Sequence, residues 1–194
     1  MSVSLSKNQT VSLAKQTDRS LTSVTLGVGW DVARPKGFFG ALFGGADSID
    51  LDASAIIFDA ARNPVDTVWF RQLQSRDGSI RHTGDNLTGE GDGDDESILI
   101  DLTRLPAAIE HIVLTVNSFR GQTFDKVDNA YGRVVDNTTG RELARFNISD
   151  SGAHTGIILA SLTRAGGEWT FKAVGQRANG QTVHDLTGAA ARIL

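Results

Sequence analysis

Apolar residues recur at every second position along much of this chain. In Glu96-Ser97-Ile98-Leu99-Ile100-Asp101-Leu102, Ile98, Ile100 and Leu102 fall on one side, and Ser97 and Asp101 on the other. Trp169, Phe171 and Ala173 alternate with Thr170 and Lys172, and Ala144, Phe146 and Ile148 alternate with Arg145 and Asn147. Side chains of an extended strand point alternately to its two faces, so this period marks strands with one buried face. Further apolar runs lie at Leu21–Val28, Ile49–Phe58, Thr67–Phe70, His111–Phe119, Tyr131–Val135 and Ile157–Leu162. Ile56-Ile57-Phe58 is apolar on both faces, which suits a strand inside a packed sheet.

The breaks between runs carry turn chemistry: Arg62-Asn63-Pro64, Asp77-Gly78, Asn137-Thr138-Thr139-Gly140, Ala165-Gly166-Gly167 and Asn179-Gly180. Asp136–Gly140 and Ala165–Gly167 each join two strand-like runs and predict hairpins. Helical pattern is confined to possible turns at Leu102–Glu110 and Phe124–Ala130 and a short helix over His184–Leu194. Strands without long intervening helices argue against parallel βαβ units. The expected fold is all-β: a two-sheet, mostly antiparallel β-sandwich with short peripheral helices, forming a single domain over residues 1–194.

The composition narrows the function classes. No apolar run approaches the roughly 20 residues of a membrane helix. The start, Met1–Lys7, lacks a basic patch followed by an apolar core, so no secretory signal is read there. The chain has no cysteine, which excludes disulfides and thiolate metal sites. Cytoplasmic localisation is the expectation. With 19 basic against 23 acidic residues, no nucleic-acid partner is expected.

One stretch stands apart. Gly84–Glu96 holds six acidic residues, no basic one and four glycines in thirteen positions. Carboxylates crowded this closely repel one another, and a cation would relieve the repulsion. The donors on offer are all oxygen: carboxylates, an amide, a hydroxyl and backbone carbonyls. Such a set suits calcium or magnesium rather than zinc or copper. Calcium takes six to eight oxygens, so the chain must wrap tightly, and glycine reaches the positive φ that this requires. The spacing departs from a helix–loop–helix calcium site, because no amphipathic helices flank it. The plain alternative is a solvated acidic loop with no ligand.

Asp50-Leu51-Asp52 places two more carboxylates on one face of a strand, roughly 7 Å apart. Asp47 precedes them, and Asp31 closes Gly29-Trp30-Asp31. Singly each reads as a strand-end residue; as a set facing the loop they become candidate ligands. The candidate metal ligands are Asp31, Asp50, Asp52, Asp85, Asn86, Thr88, Gly89, Gly91, Asp94, Asp95 and Glu96. Which of Asp92, Asp94, Asp95 and Glu96 face an ion stays open.

The Gly84–Glu96 run resembles the signature of the TerD family of tellurium-resistance proteins. The resemblance extends to Leu5–Leu13, Gly27–Asp31, Asp47–Ala53, Val116–Gln122 and His154–Gly156, and so covers nearly the whole chain in order. It implies a β-sandwich with two neighbouring calcium ions, and a role in resistance to tellurite and other stresses, including phage and colicins. It also implies association with other tellurium-resistance proteins and an integral-membrane partner.

Two further readings frame the expectation of a non-enzymatic, calcium-binding stress protein. Paired carboxylates could serve a magnesium-dependent hydrolase on the same loop. That reading lacks a phosphate clamp, since Arg71, Arg76 and Arg81, at five-residue spacing, read as surface charges. His82, His111, His154 and His184 are scattered, without ligand spacing. The apolar, Gly-flanked Phe38–Phe43 stretch reads either as a loop tucked onto the sandwich or as an exposed patch for peripheral contact at the inner face of the membrane. Arg34 and Lys36 beside it suit anionic headgroups.

Overall fold

The computed structural model describes residues 22–31, 50–87, 93–148 and 152–194, together with the backbone of Val3–Ser4 and Thr10–Ser12. Its strands in chain order are β1 (Val3–Ser4), β2 (Thr10–Ser12), β3 (Ser23–Asp31), β4 (Leu51–Phe58), β5 (Pro64–Val68) and β6 (Ile80–His82). They continue with β7 (Glu96–Asp101), β8 (His111–Ser118), β9 (Asp128–Asp136), β10 (Arg141–Asn147), β11 (Gly156–Ala165) and β12 (Glu168–Ala178). Among the described residues, one helix, α1, spans Val183–Arg192, and one 3-10 turn spans Phe124–Lys126.

The strands form two six-stranded sheets, ordered β1-β10-β9-β3-β7-β6 and β2-β12-β11-β8-β4-β5. The short β1–β10 pair is parallel, and the other pairings among the described residues are antiparallel. The expected sandwich is therefore the fold. Both expected hairpins form. Thr138 and Gly140 turn β9 into β10, while Gly166 and Gly167, at φ 60° and 85°, turn β11 into β12. No helix among the described residues is long and apolar enough to cross a membrane. The Phe38–Phe43 stretch, with Arg34 and Lys36, lies outside the described residues.

The inner faces meet in one apolar cluster. Val24, Leu26, Val28, Ile98 and Ile100 come from the first sheet, and Leu51, Ala53, Ala55, Ile57, Leu114 and Phe171 from the second. The outer face of the second sheet is covered as well. Val183, Leu186 and Ala190 of α1 pack on Ile56, Phe58, Val113, Ile158 and Val174. This explains the doubly apolar Ile56-Ile57-Phe58: β4 lies one strand in from an edge, and α1 shields its second face, so all eight of its residues are buried. The helix is fixed at its start by Asp185, whose carboxylate accepts from the Gln181 and Thr182 N–H groups, both at 3.0 Å. That is the reach-back half of a capping box, and it satisfies donors that the helix itself leaves free.

β5 forms the edge beside β4. Its Asp66 carboxylate accepts from its own strand neighbour, the Thr67 N–H, at 3.0 Å, and from the Arg76 N–H at 2.8 Å and Gln72 Nε2 at 2.8 Å. A register shift opposite Ile57/Phe58 and Pro64 at the strand start interrupt the ladder further.

Candidate metal centre

The described parts of the acidic segment, Gly84–Leu87 and Gly93–Glu96, lie where the start of β4 meets the start of β7. Period two sends Asp50 and Asp52 to the same side of the chain at that corner, and the loop after β6 brings Asp85 across to them. One carboxylate oxygen from each of Asp50, Asp52 and Asp85 lies within 4.8 Å of the others. Asp50 and Asp52 are buried, at 3% and 2% exposure, while Asp85 is exposed. Burial is the main reason why the Asp52 carboxyl is pushed up to about 8, reinforced by the Glu96 and Asp50 charges and opposed by the Asn117 hydrogen bond. Burial, with the Asp85 charge, likewise pushes Asp50 up to about 6, against the pull of Arg120. The Arg120 Nε stands 3.9 Å from Asp50 Oδ2, and Asp50 Oδ1 is buried without a hydrogen-bond partner.

The buried Asp50 and Asp52 carboxyls disfavour their own ionised state, and a cation would reverse that. The donor set is oxygen throughout, and the orphaned Asp50 oxygen is a coordination position left over by the protein's own hydrogen bonding. The residues therefore fit a hard divalent cation.

The other candidate ligands lie in different company. Asp95 Oδ2 accepts from the Trp30 N–H at 2.9 Å, and its Oδ1 accepts from Asn86 Nδ2 at 3.0 Å. Burial raises the Asp95 carboxyl, with the Asp31 and Asp94 charges adding to the effect and the Trp30 N–H opposing it. Asp31 accepts from Asn129 Nδ2 at 2.6 Å. Asp94 turns to β9: it pairs with the Arg133 guanidinium at 2.8 Å and accepts from the Tyr131 hydroxyl at 3.1 Å. Two glycines of β3 make the room. A β-carbon at Gly27 would collide with the Asp94 carboxylate, and one at Gly29 would lie 2.6 Å from the Tyr131 ring. Gly27→Ala is therefore expected to displace the Asp94–Arg133 pair and to lower stability by about 1–3 kcal/mol in urea unfolding, the usual range for overpacking. An unchanged midpoint would show that Asp94 moves aside freely.

Glu96 is fully buried and joins the two sheets. From the first residue of β7 its Oε2 accepts from the Ala53 N–H on β4 at 2.7 Å, and its Oε1 accepts from the Asn86 N–H at 3.2 Å. His82 closes the same pocket. The Gly84 N–H donates to its Nδ1 at 3.1 Å, which leaves the ring hydrogen on Nε2. That nitrogen faces Glu96 Oε2 and the Ala53 carbonyl, each at 3.2 Å. Burial raises the Glu96 carboxyl, and these donors pull it back. Thr88, Gly89 and Gly91, with Asp47 and Asp92, lie outside the described residues.

Sequence reasoning passed over His82, Asn117, Tyr131 and Arg133. No spacing signalled the single histidine. Asn117 stood inside Val116–Gln122, a run noted for its family likeness alone. Its Nδ2 donates to Asp52 Oδ2 at 2.8 Å and to the Gln181 carbonyl at 2.7 Å.

The sequence matches the TerD domain over residues 1–188. The chain belongs to the TerD family. It is 53% identical over 184 residues to the tellurium resistance protein TerZ of Serratia marcescens, covering 95% of this chain and 94% of that protein. It is 40% identical over 195 residues to the stress response protein SCP2 of Bacillus subtilis, covering 96% of this chain and 98% of that one. The fold matches a crystal structure of a TerD homologue from Streptomyces coelicolor A3(2) with a TM-score of 0.73 at 25% identity, over 87% of this chain and 96% of that chain. This TerD-family chain thus falls among proteins named for tellurium resistance and stress response. None of those three names describes an enzymatic activity.

Proposed function

We propose that this TerD-family chain is a non-enzymatic, calcium-binding stress-response protein that acts through calcium-dependent assembly with partners. The observation that carries the reading is the convergence of Asp50, Asp52 and Asp85 within 4.8 Å, with two of the three carboxyls buried. Burying unpaired carboxylates is costly, and here Arg120 is a distant counter-charge at 3.9 Å from Asp50. A calcium ion would neutralise the group and stitch the start of β4 to the loop before β7. Asp50, Asp52 and Asp85 would hold it, with loop oxygens from Gly84–Glu96 adding further ligands. Asp31 and Asp95 offer carboxylates for a second ion. Other tellurium-resistance proteins and an integral-membrane partner are the partners that belong to this reading.

Calorimetric titration tests it. Calcium should bind well below millimolar and outcompete magnesium, because the Gly84–Glu96 sequence offers more than six oxygen donors while magnesium demands a tight octahedron. Asp52→Asn should weaken calcium binding at least about tenfold, since one carboxylate of three is lost. Equal affinity for the two ions would sink the calcium assignment. Phosphoester turnover that needs magnesium and disappears in Asp52→Asn would replace it with a hydrolase.

A further inference from the structure

We propose that cation occupancy at Asp50, Asp52 and Asp85 is coupled to docking of α1, with Asn117 as the positioning residue that joins the two. The inference rests on the calcium reading above and adds a regulated element to it.

The acidic corner and the helix share one face of the second sheet. Along β4, Asp52, Ser54, Ile56 and Phe58 point to the side that α1 covers; on β8, Asn117, Thr115, Val113 and His111 stand opposite them in register. The floor under the helix is therefore apolar at one end and polar at the other, and the polar end is the candidate cation site. Asn117 is 1% exposed, and the two hydrogens of its amide nitrogen are both committed. One goes to Asp52 Oδ2 at 2.8 Å and the other to the Gln181 carbonyl at 2.7 Å. Gln181 immediately precedes the N-cap Thr182, and its own N–H is held by Asp185 inside the helix. A continuous path of four groups thus runs from the carboxylate cluster to the first turn of α1.

Filling the site fixes the Asp52 carboxylate in one place. Asn117 then keeps its orientation, and the Gln181 carbonyl keeps its donor. With the site empty, Asp52 is one of three crowded acids, two of them buried, and the hydrogen bond that orients Asn117 weakens with it. A separate anchor remains, because the Thr155 hydroxyl donates to the Gly180 carbonyl at 3.2 Å and accepts from the Gly180 N–H at 3.0 Å. Emptying the site should therefore loosen the helix rather than release it. Coupling of this kind between two sites typically amounts to a factor of 5–150 and is reciprocal.

The test is amide hydrogen exchange on the full chain, with calcium chloride or with chelator, beside calorimetry on the same samples. Amides of 183–192 should exchange about tenfold more slowly with calcium, a larger change than in β10 of the other sheet. In Asn117→Ala that difference should fall to within about twofold while a heat of calcium binding persists. Reciprocity supplies a second readout: Asp185→Ala, remote from the carboxylates, should weaken calcium affinity several-fold in the otherwise native chain and leave it unchanged in the Asn117→Ala background. Normal calcium heat with α1 exchange indifferent to calcium would overturn the coupling and leave the calcium reading standing. Absence of any calcium heat would remove both.

Discussion

Calcium-saturated protein is expected to melt on the order of 10 °C above the same protein in chelator, since ligand binding confined to the folded state contributes about 4 kcal/mol at a thousandfold excess over Kd. An unfolded chain does not hold Asp50, Asp52 and Asp85 together, so the linkage is one-sided. The effect depends on pH with a definite sign. Folded metal-free protein holds the Asp52 carboxyl at about 8 against an ordinary 3.8, and so binds more protons than the unfolded chain between those values. Stability of the metal-free form therefore falls as pH rises through that window. The calcium increment moves the other way, because protonated carboxyls are poor ligands. The gap between the two melting curves should widen from pH 5 to pH 8. Asp52→Asn, with calcium binding at least about tenfold weaker, should close at least about a third of the gap and raise the metal-free melting temperature at pH 8. Superimposed curves at pH 8 would mean that the acidic corner holds no calcium.

Glu96→Ala is expected to be among the most damaging single changes, costing about 3–5 kcal/mol in urea unfolding. The carboxylate joins β7 of one sheet to Ala53 of β4 in the other, and its removal strands the buried Ala53 N–H and leaves the His82 Nε2–H with the Ala53 carbonyl alone. Glu96→Gln keeps an oxygen for Ala53 but turns an amide NH2 toward the Asn86 N–H, so a smaller loss of about 1–3 kcal/mol is expected. Both measurements belong in chelator, where metal binding contributes nothing. A Glu96→Ala protein within 1 kcal/mol of wild type would show that the sheets close without this bridge.

The strands that read most clearly are those with enough residues to display a period. β7 buries Ile98 and Ile100, and β12 buries Trp169, Phe171 and Ala173, as their alternation requires. β6 has three residues and no period to detect, and β1 and β2 are shorter or as short. The C-terminal helix was legible from the His184–Leu194 pattern; that it would cover Ile56 and Phe58 was not, because helix placement is a tertiary fact. Within the acidic segment, charge density marked a candidate site but could not apportion its members. Asp85 goes to β4, Asp94 to Arg133 some 39 residues away, and Glu96 to a backbone amide 43 residues earlier. Local sequence holds no record of partners that distant. Two glycines do mark such a contact: Gly27 and Gly29 leave the room in which Asp94 and Tyr131 lie against β3.

The Asp66 arrangement on β5 limits how copies of this chain can join. An exposed sheet edge ordinarily templates another strand, and proteins rich in strands risk growing into open-ended polymers along it. Here the Thr67 N–H that would receive an incoming strand is already taken by a carboxylate one residue away, and Pro64 offers no hydrogen at all. A newcomer would have to strip a charged group from its three donors before gaining its first ladder bond. Strand addition at the β5 edge is therefore disfavoured, and a contact made on this side of the second sheet has to use side chains, loops or the helix, which can close on a defined partner instead of extending the sheet without end.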